Sequence, residues 1–227
     1  MVNKDRYKFN NWLNVFSPEK RLIRGQAYTA LKRAMDLFIV ILFLPVWLPL
    51  SGVITIAIKI ESPNAPAIFT QLRTGKSGRR FKMFKFRTMI PGAEKLIGQY
   101  TRVTKNGDLA GPLKMEKDPR VTRVGRILRK TSLDELLQLI NILIGDMSLV
   151  GPRPTSWSPE SYKLWHTERL DVLPGITGLW QVYGRGSVDF DDWLRYDIAY
   201  IERRSIWFDI NILVKTFLVV FSQRGAF

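Results

Sequence analysis

Leu37-Phe38-Ile39-Val40-Ile41-Leu42-Phe43-Leu44-Pro45-Val46-Trp47-Leu48-Pro49-Leu50-Ser51-Gly52-Val53-Ile54-Thr55-Ile56-Ala57-Ile58 contains no charged side chain. At about 22 residues it is long enough to cross the hydrocarbon core of a bilayer as a helix. Pro45 and Pro49 stand near its middle, where a straight spanning helix tolerates them least. Lys32 and Arg33 precede it; Lys59, Arg73, Lys76, Arg79 and Arg80 follow it. A helix that spans a membrane carries its basic excess on one side. Two basic flanks around a broken centre predict a segment that enters the bilayer, bends and leaves on the side it entered. The rest of the chain would then work at a membrane surface.

That remainder is strongly basic. The 35 Lys and Arg against 20 Asp and Glu give a formal charge of +15 over 227 residues. Such a balance calls for anionic partners: nucleic acid, anionic lipid headgroups or phosphate-bearing substrates. The chain has no cysteine, which removes thiol nucleophiles, disulfides and cysteine zinc sites. His166 is the only histidine, so a multi-histidine metal site is excluded. The first thirty residues are polar and charged, interrupted by Pro18, and do not read as a secretory signal. Tyr7, Phe9, Trp12 and Phe16 among basic residues fit an interfacial leader, or a partly ordered tail.

Beyond the apolar stretch, the cluster Glu61-Ser62-Pro63-Asn64-Ala65-Pro66 predicts a helix stop. Ile68–Arg73 and Phe81–Phe86, with glycines at 75 and 78 between them, predict a β-hairpin, the second run alternating apolar and basic residues with one buried and one cationic face. Residues 98–119 read as a loop. Val124, Ile127 and Leu128 stand at helical spacing. A clearer helix is expected from Ser132, with Ser132 and Glu135 forming a capping box and Gly145 closing it. Gly151–Pro154 and Pro174–Gly178 read as turns. Two helices are expected near Phe190–Arg204 and Asp209–Phe221; the second, strongly apolar around Lys215, suits either an interface plane or a core.

Asp134-Glu135 is the pair that draws attention. At the second and third positions of a helix beginning after Ser132, the carboxylates would be held ionised by the positive end of the helix dipole, and a phosphate would be received by the same end. A capping box and an ordinary acidic first turn explain the same residues. Arg123, Arg126 and Arg129 recur at helical spacing and would form a cationic face for phosphate, or a solvated face. Arg153 is flanked by Pro152 and Pro154, so its guanidinium is presented from a stiff loop. Gly175, Gly178, Gly184 and Gly186 surround Gln181 and Arg185; glycines let backbone approach a ligand, and Gln181 can read an amide edge such as uracil. Asp189, Asp191 and Asp192 suit a metal or an exposed helix start.

Several ordered motifs now stand together: Lys32-Arg33-x-x-Asp36 before the apolar segment; Phe69-x-Gln71-x-Arg73-x-Gly75-x-x-Gly78; Lys85-Phe86-Arg87-Thr88-Met89; Asp118–Gly125; Leu128–Glu135; Gly145–Pro154; and Pro174–Val182 with Gly184-Arg185. In this order, over residues 30–227, the chain resembles the bacterial sugar transferases, the monotopic polyprenyl-phosphate phosphoglycosyl transferases. The resemblance implies transfer of a sugar phosphate from a UDP-sugar to undecaprenyl phosphate, with Mg²⁺ and release of UMP, at the start of exopolysaccharide, O-antigen or glycoconjugate synthesis. It places the nucleophile on Asp134, gives Glu135 a metal or proton role, and assigns metal binding to the pair. Arg129, Arg153, Pro152, Pro154, Lys85, Arg87, Gln181 and Arg185 fall on its substrate side. It also implies a membrane helix broken at Pro49.

The expected fold is α/β, mostly helical with a small β-hairpin: an interfacial leader over 1–30, a re-entrant helix–break–helix over 31–61, and a catalytic domain over 62–227 with amphipathic helices in the interface. The implied location is the cytoplasmic face of a bacterial inner membrane, with anionic lipid as a partner, no nucleic acid, and a homo-oligomer left open. Members of the family often have Ser before the breaking proline, where this chain has Leu48, and Pro45 is extra. Larger members carry further membrane helices, and this chain reads as a compact form. Two other classes predict different behaviour: a basic binding protein without catalysis, and a single-pass scaffold with its ends on opposite sides of the membrane.

Overall fold

The computed structural model describes residues 22–93, 101–103, 109–112, 118–162, 164–183 and 190–221. The apolar stretch forms two helices, α1 (Gly25–Leu42) and α2 (Leu44–Glu61). The interruption falls at Phe43, and Pro49 lies inside α2. This corrects the position expected for the break. Pro45 occupies the first turn of α2, where its missing N–H has no helical partner to lose. The Trp47 indole reaches back across the junction to the Val40 carbonyl, 2.9 Å away. Within α2, the Ser51 hydroxyl donates to Trp47 O.

Both ends of this helical pair are tied to the same body. On α1, Asp36 accepts from Ser148 Oγ at 2.6 Å and Leu149 N at 3.3 Å. Arg33 donates to Ile142 O and Leu143 O, carbonyls in the last turn of a later helix. At the far end of α2, Glu61 accepts from the backbone N–H of Arg123 and Val124. Between these ties the surface is apolar: Phe38, Ile41, Leu42, Phe43, Val46, Leu48, Val53 and Ile56 are exposed.

The expected hairpin is present. β1 (Ile68–Thr74) pairs antiparallel with β2 (Arg80–Phe86) around a tight turn at Lys76–Gly78. Its faces differ from the expected division. Phe81, Met83 and Lys85 share one face of β2, while Phe84 and Phe86 share the other, because the apolar–basic alternation slips at Met83-Phe84. Phe81 and Met83 join a core with Val40, Trp47, Ile142, Val150, Tyr200, Phe208 and Ile212. Phe86 joins a second, smaller core with Ile54, Ile58, Ala67, Leu128 and Leu137. Leu136 and Ile140 pack against both.

Within the stretch read as a loop, β3 (Thr101–Val103) and β4 (Leu109–Pro112) pair antiparallel. Strands of three and four residues are too short to show a period in sequence. α3 (Arg123–Thr131) begins at Thr122, whose hydroxyl accepts from Gly125 N. α4 (Gln138–Ile144) ends at Gly145 in the left-handed region, as expected. Asn141 docks α4 on the hairpin: its amide takes Phe84 N at 3.0 Å and Lys82 O at 2.8 Å, satisfying the free edge of β2.

β5 (Ser148–Val150) and β6 (Gly175–Thr177) form a parallel pair. A Cβ on Gly175 would lie 2.1 Å from Gly151 N, and one on Gly151 would lie 2.5 Å from Leu173 O. These glycines therefore let two backbones approach each other. α5 (Leu179–Tyr183), α6 (Phe190–Arg203) and α7 (Ile206–Phe221) complete the chain. α7 buries Phe208, Asp209 and Ile212, and leaves Trp207, Val214, Phe217 and Leu218 exposed. One face is core, as one of the two readings of this helix expected, and the opposite face is open.

Candidate active site

Asp134 and Glu135 lie in a single 3-10 turn, Leu133–Glu135, between α3 and α4. The capping box expected at this point is not formed. Ser132 adopts a left-handed conformation (φ 58°) that closes α3, and its side chain caps nothing. A residue in that region cannot take the extended backbone of an N-cap. The electrostatics of the pair therefore comes from side chains rather than from a helix end.

Glu135 is the more heavily bonded carboxylate. Its Oε1 accepts from Lys85 Nζ at 2.7 Å and from Arg153 Nη2 at 2.5 Å, and Oε2 takes Arg153 Nη1 at 3.3 Å. Burial alone would raise its pKa, but Arg153 and Lys85 outweigh that and hold the carboxyl at about 2. Asp134 differs. Among the described residues its one polar contact is Lys85 Nζ, 3.9 Å from Oδ2, with no hydrogen bond. Burial pushes its pKa up, opposed by Lys85 and, more distantly, by Arg129 and Arg153. One carboxylate is held by two cations and fixed in charge; its neighbour is desolvated and open.

The cations come from four places. Lys85 projects from β2, on the face it shares with Phe81 and Met83. Arg129 is on the last turn of α3, and its Nε donates to Thr88 Oγ1 at 2.9 Å, which leaves the guanidinium's other end for a ligand. Arg153 comes from the loop after β5, between Pro152 and Pro154, both buried. Arg73, on β1, donates to Pro154 O at 3.4 Å; burial and the nearby Arg153 lower its pKa to about 10, so it is charged at neutral pH. Arg123 and Arg126 are exposed on α3 and do not join Arg129, which turns inward.

Other expected residues sit differently. Arg87 donates from Nε to Pro66 O at 2.7 Å and stands over the Phe69 ring. Gln181 is buried and its Nε2 donates to Ile176 O, so that end of the amide serves the backbone of β6. Arg185, Gly184, Gly186 and Asp189 lie outside the described residues, as does most of the leader. His166 is buried between Trp157 and Tyr162. Thr88 was not singled out by sequence reasoning, although it stands in the Lys85–Met89 motif; a short hydroxyl after two basic residues is its only signal.

Magnesium takes oxygen ligands, usually one or two carboxylates plus substrate phosphates and water. The open carboxylate of Asp134 and the lightly used Oε2 of Glu135 fit that pattern. Among the described residues no group of three or more acidic or histidine side chains gathers, so further ligands would have to come from substrate and water.

A mostly helical α/β domain thus sets an open carboxylate among arginines and a lysine, beside an exposed apolar helical pair. The chain belongs to the bacterial sugar transferase family, whose model matches residues 27–223. It is 40% identical over 94% of its length to the undecaprenyl-phosphate galactose phosphotransferase of Salmonella typhimurium, covering 46% of that protein. It is 39% identical over 87% of its length to the UDP-glucose:undecaprenyl-phosphate glucose-1-phosphate transferase of Escherichia coli, covering 41% of it. Against the exopolysaccharide production protein ExoY of Rhizobium meliloti it is 35% identical, with 93% of this chain and 95% of that one aligned. The chain thus spans about half the length of several curated relatives it matches, and nearly all of ExoY.

Proposed function

We propose that this protein transfers a sugar 1-phosphate from a UDP-sugar to undecaprenyl phosphate and releases UMP, by way of a covalent aspartyl phosphosugar (an acyl phosphate) on Asp134. The observation that carries the reading is the contrast within the dyad: Asp134 has no hydrogen bond among the described residues, while Glu135 is held by Lys85 and Arg153. A desolvated carboxylate facing cations is a usable oxygen nucleophile. An Asp134 oxygen would attack the β-phosphorus of the UDP-sugar, and the bond from that phosphorus to the bridging oxygen would break, releasing UMP. An oxygen of undecaprenyl phosphate would then attack the same phosphorus. The Asp134–phosphorus bond would break, restoring the carboxylate and giving the lipid diphosphate sugar. Neither step consumes a proton or an electron.

Lys85, Arg129 and Arg153 would meet the charge that develops on the phosphoryl oxygens, the largest single contribution in such transfers. Glu135 keeps Lys85 and Arg153 in place. Mg²⁺ held by Asp134 and Glu135 Oε2 would offset the charge of the diphosphate. The expected setting is the cytoplasmic face of a bacterial inner membrane, with the product opening an exopolysaccharide or O-antigen unit. The names of the relatives, given above, support that substrate class.

α1 and α2 would form the re-entrant anchor. Both ends of the pair are fastened to one body, through Asp36 and Glu61, while the apolar surface around Phe43 lies open. The open face of α7 would lie in the headgroup region. Since the chain has no cysteine, single cysteines placed before residue 30 and after residue 70 can be labelled in sealed vesicles without background. Labelling on one side is expected, and labelling on opposite sides means a spanning helix.

Purified protein with a panel of UDP-sugars, Mg²⁺ and undecaprenyl phosphate should release UMP. Full activity in an Asp134→Asn variant would falsify the nucleophile assignment.

A further inference from the structure

Four successive carbonyls of the loop after β5 each meet a donor from another part of the chain. Gly175 N takes Pro152 O at 2.9 Å, Arg169 Nη2 takes Arg153 O at 2.6 Å, Arg73 Nη1 takes Pro154 O at 3.4 Å, and Thr74 N takes Thr155 O at 3.0 Å. Arg169 stands out among these donors. It comes from the 3-10 segment Leu164–Asp171, its side chain is buried, and its Nη2 lies 2.7 Å from Asp197 Oδ2 on α6. Neither residue touches Asp134 or Glu135.

A buried ion pair is a costly way to hold two elements together, since well-packed apolar residues do as well or better. The cost is visible in Asp197, which burial pushes up to about 7 against the pull of Arg169. Position makes the same point. Leu194, Asp197 and Tyr200 form the buried stripe of α6, so the carboxylate occupies a place that the helix period gives to an apolar side chain.

The geometry shows what the pair does. Pro154 confines residue 153 to extended backbone, and Pro152 fixes its own φ. The rotations left freest, ψ of residue 152 and φ of residue 153, turn the Arg153 side chain and carbonyl together. Arg169 grips that carbonyl, and Asp197 grips Arg169. The side chain of the same residue, Arg153, reaches Glu135 on the other side.

We infer that Arg169 and Asp197 are positioning residues for the transfer reaction, fixing the backbone of Arg153 so that its guanidinium is aimed at the dyad and the substrate phosphate. This rests on the function proposed above.

Arg169→Lys keeps a positive charge near Asp197, but its ammonium ends short of the position of Nη2, the one nitrogen that meets both Asp197 and the Arg153 carbonyl. In the full chain, this variant should melt within a few degrees of the wild type. Its kcat/KM for the UDP-sugar should fall about ten- to a hundredfold, the scale of a misplaced substrate contact. The second arm uses no substrate. Glu135→Gln should lower the melting temperature less in the Arg169→Lys background than in the wild type, because the Arg153–Glu135 bond is already loosened. A pair that only holds the fold would instead leave KM unchanged and give additive melting shifts; either that additivity or a wild-type kcat/KM overturns the inference. If Arg169→Lys does not fold, Asp197→Asn, which keeps the shape and removes the charge, enters the same cycle with the same two outcomes. Absence of UMP release from the wild type would defeat the proposed function, while the melting cycle would still decide the positioning.

Discussion

Two clusters of acid and base lie within this domain, and they are built in opposite ways. Where α1 meets α7, fully buried Asp209 accepts from Tyr28 Oη at 2.8 Å and Tyr200 Oη at 2.7 Å and forms an ion pair with Lys32 Nζ at 3.0 Å. At the dyad, Glu135 is held by Lys85 and Arg153, but Asp134 one residue earlier has, among the described residues, only a cation at 3.9 Å. Saturation fixes α1 against α7. The dyad is only partly buried, unlike Asp209, and incomplete saturation there leaves one Asp134 oxygen open to a ligand. The fold spends strong hydrogen bonds where position matters and withholds them where reaction is needed.

The comparison can be broken most sharply at Asp134. Asp134→Asn should lower UMP release by on the order of 10⁴-fold, the scale of removing a nucleophile. Its melting temperature should hold or rise at neutral pH. The sign follows from the pKa: burial raises it above the ordinary value, so the folded state disfavours the ionised form and gains when the charge is removed. Asp209→Asn should do the reverse. Weakening a buried, fully bonded charge cluster costs roughly 3–5 kcal/mol, which calorimetry should show as a fall of roughly 6–20 °C in a chain of this size.

Glu135→Gln should fall between these extremes. Loss of its charged hydrogen bonds costs about 1.5–3 kcal/mol, and activity should drop about a hundredfold as Arg153 and Lys85 lose their anchor. The Glu135 carboxyl is depressed to about 2 from 4.5, so its stabilisation is present above pH 4.5 and lost as pH falls toward 2. Acid titration of the wild type should show that loss, and the Gln variant should not. Lys85→Met should move the acid limb of UMP release to higher pH, because Lys85 favours the ionised form of Asp134. The smallest effect is expected from Thr88→Val, which frees the Arg129 guanidinium: about a tenfold loss of kcat/KM, the value of one hydrogen bond to a charged group, with little change in melting temperature.

Much of the architecture was legible because it is local. The hairpin, the stop after Glu61, Gly145 at the end of α4, and helices α6 and α7 all follow from short-range pattern. The dyad was legible as a pair of residues, but its geometry was not. Ser132 in a left-handed turn looks, in sequence, like an N-cap. Lys85 and Arg153, which make Glu135 and Asp134 unequal, stand 50 and 18 residues away from Glu135. The helix break at Phe43 depends on Pro45 having no helical partner to lose and on the Trp47 indole reaching Val40, neither of which a hydropathy pattern records. Asp197 did leave a trace, a carboxylate at an apolar position of α6. Its partner Arg169 could be found only in three dimensions.

The bond from Glu61 to the first residues of α3 has one more consequence. α3 starts on the end of α2 and finishes on the turn that carries Asp134, so its nine residues act as a spacer of about 13 Å. The stand-off between foothold and reactive oxygen is thereby set by a rigid rod of fixed length. With the apolar face of α1 and α2 seated in a bilayer, as proposed, that length would also set the height at which a lipid phosphate must present itself.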